Sequence, residues 1–369
     1  MKKFKTIVIL LMSLILIGSM TGCKKKAAKT ETPAKKTTVT DTKKEKPKEE
    51  TKPVEEEIPK NQNLLTGLAD LTDGAIGKRP VAVMVNNVPP ALPQYGIAKA
   101  DVIFEIPVEG DDTRFMALYG DYTTVPKICA IRSCRYYFPA FSQGFDAFYV
   151  HWGMDDSISD YLDALNMDRY DGISGQGGFF GRDENRLAQG YALEHTGYFD
   201  GTQFAAVVQA DGKRTDLAAD KKGTAFQFNG MSEQLKPSGS DCTNVNINFG
   251  AESAALTYDA ASKTYLKQLD GSPQMDAVTN TQLAFTNVFV LETSISVRDE
   301  LGHKEVDWDG SEDSVGYYVS NGGMQKIHWS KEPNNENSYL KFYDENNNEL
   351  KINRGKTYIA VNYPGQAQF

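Results

Sequence analysis

Between Lys78 and Asp220, short apolar runs alternate with stretches of helical spacing. The runs that predict strands are Arg79–Val85, Asp101–Val108, Arg114–Tyr119, Ile128–Arg132 and Ala147–Trp152. Arg79–Val85 is nearly all apolar and stops at two asparagines, which predicts a buried strand. Tyr136–Gly144 and Ser157–Leu165 suit helical turns. This alternation predicts a mixed α/β domain.

From Gly223 onward, strand-like runs are separated by polar turns at regular spacing. They are Gly223–Phe228, Asn244–Phe249, Ser253–Tyr258, Thr286–Leu291, Gly316–Val319, Met324–Trp329, Tyr339–Tyr343 and Thr357–Val361, and Tyr258–Lys267 suits two strand ends joined by a polar turn. Such a series is typical of antiparallel sheet. The sequence therefore predicts an α+β protein, with a mixed α/β domain over residues 61–220 and a mostly antiparallel β domain over 221–369.

The charge of the body limits its partners. Asn61 to Phe369 contains 25 basic and 41 acidic residues, a net charge of −16. Nucleic-acid binding needs clustered Lys and Arg against the phosphate backbone. We therefore expect no nucleic-acid partner.

The N-terminus has the pattern of a secretory signal. Three lysines precede the apolar segment Ile7–Ile17, which is too short for a ~30 Å hydrocarbon core. Residues 18–23 resemble a bacterial lipobox, which implies cleavage after Gly22 and lipid on Cys23. The alternative is an ordinary secretory signal. We expect a signal peptide over 1–22 and a lipidated, disordered tether over 23–60, rich in Lys, Glu, Thr and Pro. These features place the body at the extracytoplasmic face of the cell membrane, anchored by lipid.

The other cysteines are Cys129, Cys134 and Cys242. In an extended segment, Cys129 and Cys134 would lie ~16 Å apart, beyond disulfide reach. We expect three buried free thiols. The chain has no CxxC pair, so its sequence offers no zinc ribbon.

Several short motifs follow one another in a characteristic order. They are Arg79–Asn87, Glu109-Gly110, Thr113–Phe115, Ile131–Ser133, Arg135–Phe138, Phe180–Asp183, Tyr258-Asp259 with Tyr265, Asp276 and Asn287-Val288. In this order they resemble the YerB-type lipoprotein family. The resemblance implies a two-domain envelope lipoprotein of Gram-positive type, and it implies no reaction. The family tends to have Pro-His-Asn where this chain has Glu194-His195-Thr196.

A group of basic and polar residues in the first domain is the candidate site. Its members are Arg114, Arg132, Ser133, Arg135, His151, Arg182, Asp183 and His195. Guanidinium groups present a donor fork that suits carboxylates and phosphates, so convergence of these residues would form an anion-binding pocket. In the alternative, the arginines pair internally with Glu105, Glu109, Asp183 and Glu184.

Other chemistry is poorly supported by the sequence. Ser133 with His151 or His195 could form a nucleophilic triad, but the chain has no GxSxG motif. Ser338–Lys341 matches SxxK without its companion motifs. The acidic runs after Asp307 and Asp344 lack the glycine of a calcium loop. We expect no metal and no cofactor.

These observations lead to an expected function. We expect a non-catalytic binding or scaffolding role in cell-wall assembly, with wall-synthesis proteins or wall fragments as partners. The alternative is a wall-acting enzyme or an anionic-ligand-binding lipoprotein that uses the Arg/His/Asp cluster.

Overall fold

The computed structural model describes residues 57–175, 178–223 and 225–369. Within them the strands are β1 Val81–Asn86, β2 Val102–Pro107, β3 Thr113–Tyr119, β4 Lys127–Cys129, β5 Phe148–His151, β6 Arg169–Asp171, β7 Phe180–Arg182, β8 Gly197–Asp200, β9 Gln227–Phe228, β10 Ser240–Asp241, β11 Asn244–Asn248, β12 Ser253–Asp259, β13 Thr264–Leu269, β14 Ser272–Pro273, β15 Met275–Asp276, β16 Thr281–Gln282, β17 Ala284–Phe285, β18 Asn287–Glu292, β19 Ile295–Val297, β20 Lys304–Val306, β21 Gly310–Ser320, β22 Gly323–Ser330, β23 Lys341–Tyr343, β24 Lys351–Ile352, β25 Thr357–Asn362 and β26 Ala367–Gln368. The α-helices are α1 Tyr137–Ser142, α2 Ser159–Ala164, α3 Glu184–Ala188 and α4 Phe204–Ala210.

A central mixed sheet organises the body. Its strand order is β10-β22-β21-β18-β25-β2-β3-β1-β5-β6, and β23 pairs with β22. β1, β5 and β6 are parallel, and β3 runs antiparallel between β1 and β2. β2 also pairs in parallel with β25, close to the end of the chain. The central sheet therefore contains strands from both of the domains that the sequence predicts, residues 61–220 and 221–369. The boundary between these two domains stays a prediction.

Both faces of the central sheet are covered. Val81, Val83 and Val85 point to one face, where β11 to β13 and α4 pack, while Ala82 and Met84 point to the other, where α1 and α2 pack. Because both faces of the sheet are covered, every residue of β1 is buried, and β1 has no solvent-exposed face.

A second sheet, β14-β13-β12-β11-β26, is antiparallel throughout, and β17 pairs with β13. Its strands alternate between buried and exposed residues, as in β11. The α+β class is confirmed, with a mixed sheet in the N-terminal region and antiparallel sheets in the C-terminal region. The strand starts and ends that the sequence predicts agree with the structure to within a few residues for β1, β2, β3, β11, β18, β22 and β25.

The predicted signal peptide and Cys23, the predicted lipidation site, lie outside the described residues, together with nearly all of the predicted tether. Within the described ranges, no helix combines the length and apolar character needed to cross a membrane.

Candidate anion-binding site

The candidate residues surround the edge of the central sheet where β1 and β5 end. Asn86, the last residue of β1, pairs with Arg114 at the start of β3. The segment after β4 is held against this edge by backbone hydrogen bonds, from Arg132 N to Met84 O (3.0 Å) and from Trp152 N to Arg132 O (3.0 Å). Arg114, Arg132, Ser133 and Arg135 are brought together because these elements converge.

Glu109 lies between two of the arginines. Arg114 Nη2 is 3.1 Å and Arg135 Nη2 is 2.8 Å from Glu109 Oε2, and Arg114 Nη1 donates to Ser133 O (3.0 Å). Burial opposes ionisation of Glu109, but the hydrogen bond from Arg135 and the charge of Arg114 outweigh it and lower the pKa of this carboxyl. Burial, together with the charge of Arg135, lowers the pKa of Arg114 to about 10. This part of the cluster is an internal ion-pair network.

Arg132 is less well compensated. Its side chain is 28% exposed, and its carboxylate partner is the exposed Glu194, with Nη2 and Oε2 3.4 Å apart. In the described part of the chain, its Nε is buried and has no hydrogen-bond partner. Arg132 also acts electrostatically on Arg114, Asp112 and His195, so it links the Glu109 network to the histidine. The partly exposed Arg132 guanidinium, paired at 3.4 Å with an exposed glutamate, can exchange that partner for an oxyanion.

His195 is buried beside Arg132. The Asn86 amide nitrogen lies 3.0 Å from Nδ1, which therefore accepts, and Nε2 is 3.6 Å from Glu194 Oε1. Burial, reinforced by the charges of Arg132 and Arg186, lowers the pKa of His195. The neutral His195 ring, held by Asn86, fixes the loop before β8 and adds no positive charge to the arginine cluster.

His151 is separate from this group. It is fully buried at the end of β5, where its Nδ1 donates to Gly153 O (2.8 Å). Burial lowers its pKa, and its Nε2 has no hydrogen-bond partner among the described residues. His151 therefore does not face an anion with Arg132.

Arg182 and Asp183 have structural partners. The Arg182 guanidinium stacks 4.2 Å from the centre of the Trp152 ring and donates to Leu193 O (2.6 Å). Asp183 caps α3 by accepting from Arg186 N (3.0 Å), and it pairs with Lys127 at 2.7 Å. The Asp183 carboxylate thus accepts a hydrogen bond from a backbone amide at the start of α3 and is not directed at a ligand.

The hydroxyl groups of the two serines that the sequence suggested as nucleophiles have no histidine or lysine base among their described hydrogen-bond partners. The Ser133 hydroxyl makes no hydrogen bond to His151 or His195 there, and Ser338 Oγ is used in a turn, donating to Asn335 O (2.8 Å). A nucleophile needs a base within hydrogen-bond reach.

One acidic group next to the network was not predicted. Asp155, Asp299 and His303 place ligand atoms within 4.8 Å of one another, and His303 Nδ1 is 2.7 Å from Asp299 Oδ2. Arg298 Nη2 contacts Asp155 and also Ser157 Oγ (2.9 Å). The Arg298 guanidinium therefore already pairs with a carboxylate of this group. The spacing of Asp299 and His303 was the only sequence signal for it.

The thiol prediction is confirmed for Cys129, Cys134 and Cys242, which are all free and buried.

Comparison with known proteins supports the family resemblance. Residues 65–214 match the family described as "Protein of unknown function (DUF3048) N-terminal domain", and residues 245–359 match its C-terminal domain. The chain is 28% identical over 260 residues to "Putative lipoprotein YerB" of Bacillus subtilis (strain 168), covering 69% of this chain and 73% of that protein. The crystal structure of YerB from Bacillus subtilis superposes with a TM-score of 0.67 at 25% identity, covering 82% of this chain and 97% of that one. The chain belongs to this YerB-like, two-part family of unknown function.

Proposed function

We propose that this protein is a lipid-anchored, extracytoplasmic component of the cell envelope that binds or scaffolds partners in wall assembly without catalysis. The sequence ending at Cys23 and the name of the Bacillus subtilis relative support the lipoprotein part. The membrane is then the first partner, through the anchor. Wall-synthesis proteins or wall fragments are the partners expected at that place.

One observation carries the non-catalytic part. Several groups of the arginine cluster that could act as acid or base are engaged in the fold, as Glu109 is with Arg114 and Arg135. His195 is held by Asn86, and Asp183 caps a helix. A catalytic site needs a nucleophile and a base directed at one open position. Groups engaged in this way instead support a rigid binding surface.

The second candidate is anionic-ligand binding, and Arg132 favours it. Its guanidinium is partly exposed and pairs at 3.4 Å with the exposed Glu194, a contact that an anionic ligand can replace. Free carboxylates of wall peptides and phosphates of wall polymers both suit such a fork. A wall-acting enzyme is the other form of this candidate and would have to recruit Ser133, His195 or Asp183 from their present contacts.

The test uses the full-length chain reconstituted in phosphatidylcholine nanodiscs. A muropeptide with free carboxylates is titrated while thermal unfolding is followed, with Arg132→Ala and Arg169→Ala variants in parallel. Arg169 is a matched control because it is 22% exposed and pairs with the exposed Asp163. A ligand at about 100 times its Kd stabilises the native state by ~2.7 kcal/mol. Release of soluble fragments from purified wall is measured in the same preparations.

Each part has its own outcome. We expect no fragment release, and release that is lost in His195→Ala would overturn the non-catalytic proposal. Stabilisation that disappears in Arg132→Ala and persists in Arg169→Ala supports the ligand site. The absence of stabilisation, or its persistence in both variants, contradicts that site and leaves protein partners as the binding targets.

A further inference from the structure

A second cationic site lies away from the arginine cluster, in an open cleft of about 750 Å³. Lys221 and Lys331 both line this cleft. The rest of the lining includes serine, asparagine and tyrosine side chains, a third lysine, Lys341, and two carboxylates, Asp220 and Glu332, whose charges act on Lys221.

Three successive backbone carbonyls hold the two ammonium groups. Lys331 Nζ donates to Glu336 O (3.2 Å) and to Ser338 O, while Lys221 Nζ donates to Asn337 O. Lys221 Nζ also lies 4.1 Å from the centre of the Tyr339 ring. Each ammonium has three donors, so Lys331 keeps one and Lys221 keeps two. The carbonyls position the charges but do not neutralise them.

Among the described residues, no carboxylate forms an ion pair with either ammonium group. The described part of the chain has four buried lysines, and the other two, Lys267 and Lys304, pair with Glu105 at 3.0 Å and with Asp111 at 2.5 Å. No carboxylate oxygen of the described residues lies within 4.0 Å of Lys221 or Lys331, which are 7% and 4% exposed. Buried charges without partners are costly, so this arrangement lacks an anion.

The acidic residues that act on Lys331 at longer range are engaged elsewhere. Glu336 Oε1 accepts from Tyr161 Oη (3.0 Å), and Glu332 Oε2 accepts from Asn335 Nδ2 (2.6 Å). Asp309 Oδ2 accepts from the Asn334 amide (3.2 Å). Burial, with the charge of Lys221, accordingly lowers the pKa of Lys331 to about 7. An anion between the two lysines would favour the charged form of both.

We propose that this cleft binds a phosphate ester of a polyol or sugar, with the phosphate between Lys221 and Lys331. Two compact ammonium charges match a phosphate monoester, which carries nearly two negative charges. The serine, asparagine and tyrosine side chains of the lining can hydrogen-bond the hydroxyl groups of the ligand. This site is independent of Arg132 and of the function proposed above.

The probe is glycerol 3-phosphate, and its binding is measured by isothermal titration calorimetry at pH 7. The full-length chain is held in phosphatidylcholine nanodiscs, and glycerol without phosphate serves as the ligand control. Lys331→Met and Lys221→Met each remove one ammonium. Lys326→Met is the matched protein control, because Lys326 is exposed on β22 and does not line the cleft. Far-ultraviolet circular dichroism checks that each variant is folded.

We expect glycerol 3-phosphate to bind while glycerol does not, with an affinity at least about tenfold weaker in Lys331→Met and in Lys221→Met and unchanged in Lys326→Met. If Lys331→Met does not fold, Lys221→Met carries the test alone. A Kd above about 10 mM for the wild-type chain, or equal Kd values in all variants, would overturn the proposal.

The same phosphate monoester can come from a lipid headgroup, as in phosphatidic acid, or from a soluble ester. Phosphatidic acid added to the nanodiscs distinguishes the two sources. A weaker apparent affinity for glycerol 3-phosphate identifies the headgroup as a competitor. Unchanged affinity assigns the site to non-lipid phosphates.

Discussion

Lys267 and Glu105 form an ion pair in which both side chains are fully excluded from solvent, with 3.0 Å between Nζ and Oε2. Lys267 belongs to β13 of the second sheet and Glu105 to β2 of the central sheet. Asn87, Thr113 and Tyr358 donate to the same carboxylate at 2.8, 2.9 and 2.6 Å. The two sheets are therefore joined by a satisfied polar network and not by apolar packing alone.

Replacement of Lys267 by Met should strongly destabilise the fold. Glu105 would remain buried without its cation, and breaking a buried pair on one side costs about 3–5 kcal/mol in the free energy of unfolding. Urea denaturation of the full-length chain measures this loss in the free energy of unfolding. The Lys267→Met/Glu105→Gln double variant should recover most of the loss, because no unpaired charge remains. Lys236→Met, whose partner Asp241 is exposed, should change little. Equal stability of Lys267→Met and the wild type would show that the pair does not stabilise the fold.

Glu252 should make stability depend on pH. Its Oε2 accepts from Thr113 N (2.9 Å) and Oγ1 (2.8 Å), while its buried Oε1 has no partner among the described residues. Burial raises the pKa of Glu252 from 4.5 to about 7. The protonated form favours the folded state, so this contribution is complete below pH 4.5, is lost as pH rises toward about 7, and is absent above it.

The measurement is the free energy of unfolding between pH 4 and 8. Glu252→Gln should remove up to about 3 kcal/mol of the decrease over this window. The exposed Glu349→Gln should keep the wild-type slope. Identical slopes in Glu252→Gln and the wild type would mean that folding does not raise the pKa of Glu252. Asp101 contributes in the same direction, since burial raises its pKa to about 6.

The three buried thiols should be unreactive in the folded chain. Burial raises the pKa of Cys129 to about 11 and that of Cys134 to about 12, and it also raises the pKa of Cys242. Because the thiolate is the reactive form, a disulfide reagent at pH 8 should react slowly until denaturant is added. Replacing Cys23 by Ser removes the remaining thiol from the assay. Rapid reaction in the native Cys23→Ser chain would contradict this burial.

Much of the secondary structure could be predicted because single segments contain the signal. Val81–Asn86 is buried throughout, so its apolar run is enough to identify a central strand. The parallel pairing of β2 with β25 could not be predicted, because neither segment carries information about which distant strand it contacts. Short elements such as α4 and β6 to β8 were missed for a related reason, since long-range packing stabilises them more than local pattern does.

In the candidate site, too, local features could be predicted from the sequence and long-range contacts could not. The arginines could be identified by residue type, but their partners could not. Glu105 and Glu109 were equal candidates in the sequence, yet Glu105 ends in the buried network with Lys267 while Glu109 lies in the turn after β2 and contacts Arg114 and Arg135. The direction of β2 and the position of the turn after it determine which partner each glutamate contacts, and neither can be predicted from the local sequence.

Arg114 and Arg132 should differ in their effect on stability although both belong to the candidate site. Arg114 is 6% exposed and holds Glu109 and the Ser133 carbonyl. Arg114→Ala leaves a half-buried carboxylate with Arg135 alone, and we expect a loss of about 2–4 kcal/mol. Arg132→Ala removes a partly exposed pair with Glu194 and a donor without a partner, so the change should be below about 1 kcal/mol.

Urea denaturation of both variants tests this difference, with Arg169→Ala as the exposed-pair reference. A large loss in Arg132→Ala would make it a structural residue, and weakened ligand binding in that variant would then report damage to the fold. A small loss of stability in Arg132→Ala would mean that the Arg132 guanidinium can be removed without disturbing the Glu109 network. A change in ligand binding could then be separated from a change in stability. The contrast between Arg114 and Arg132 thus decides whether binding measurements on Arg132→Ala can be interpreted as recognition.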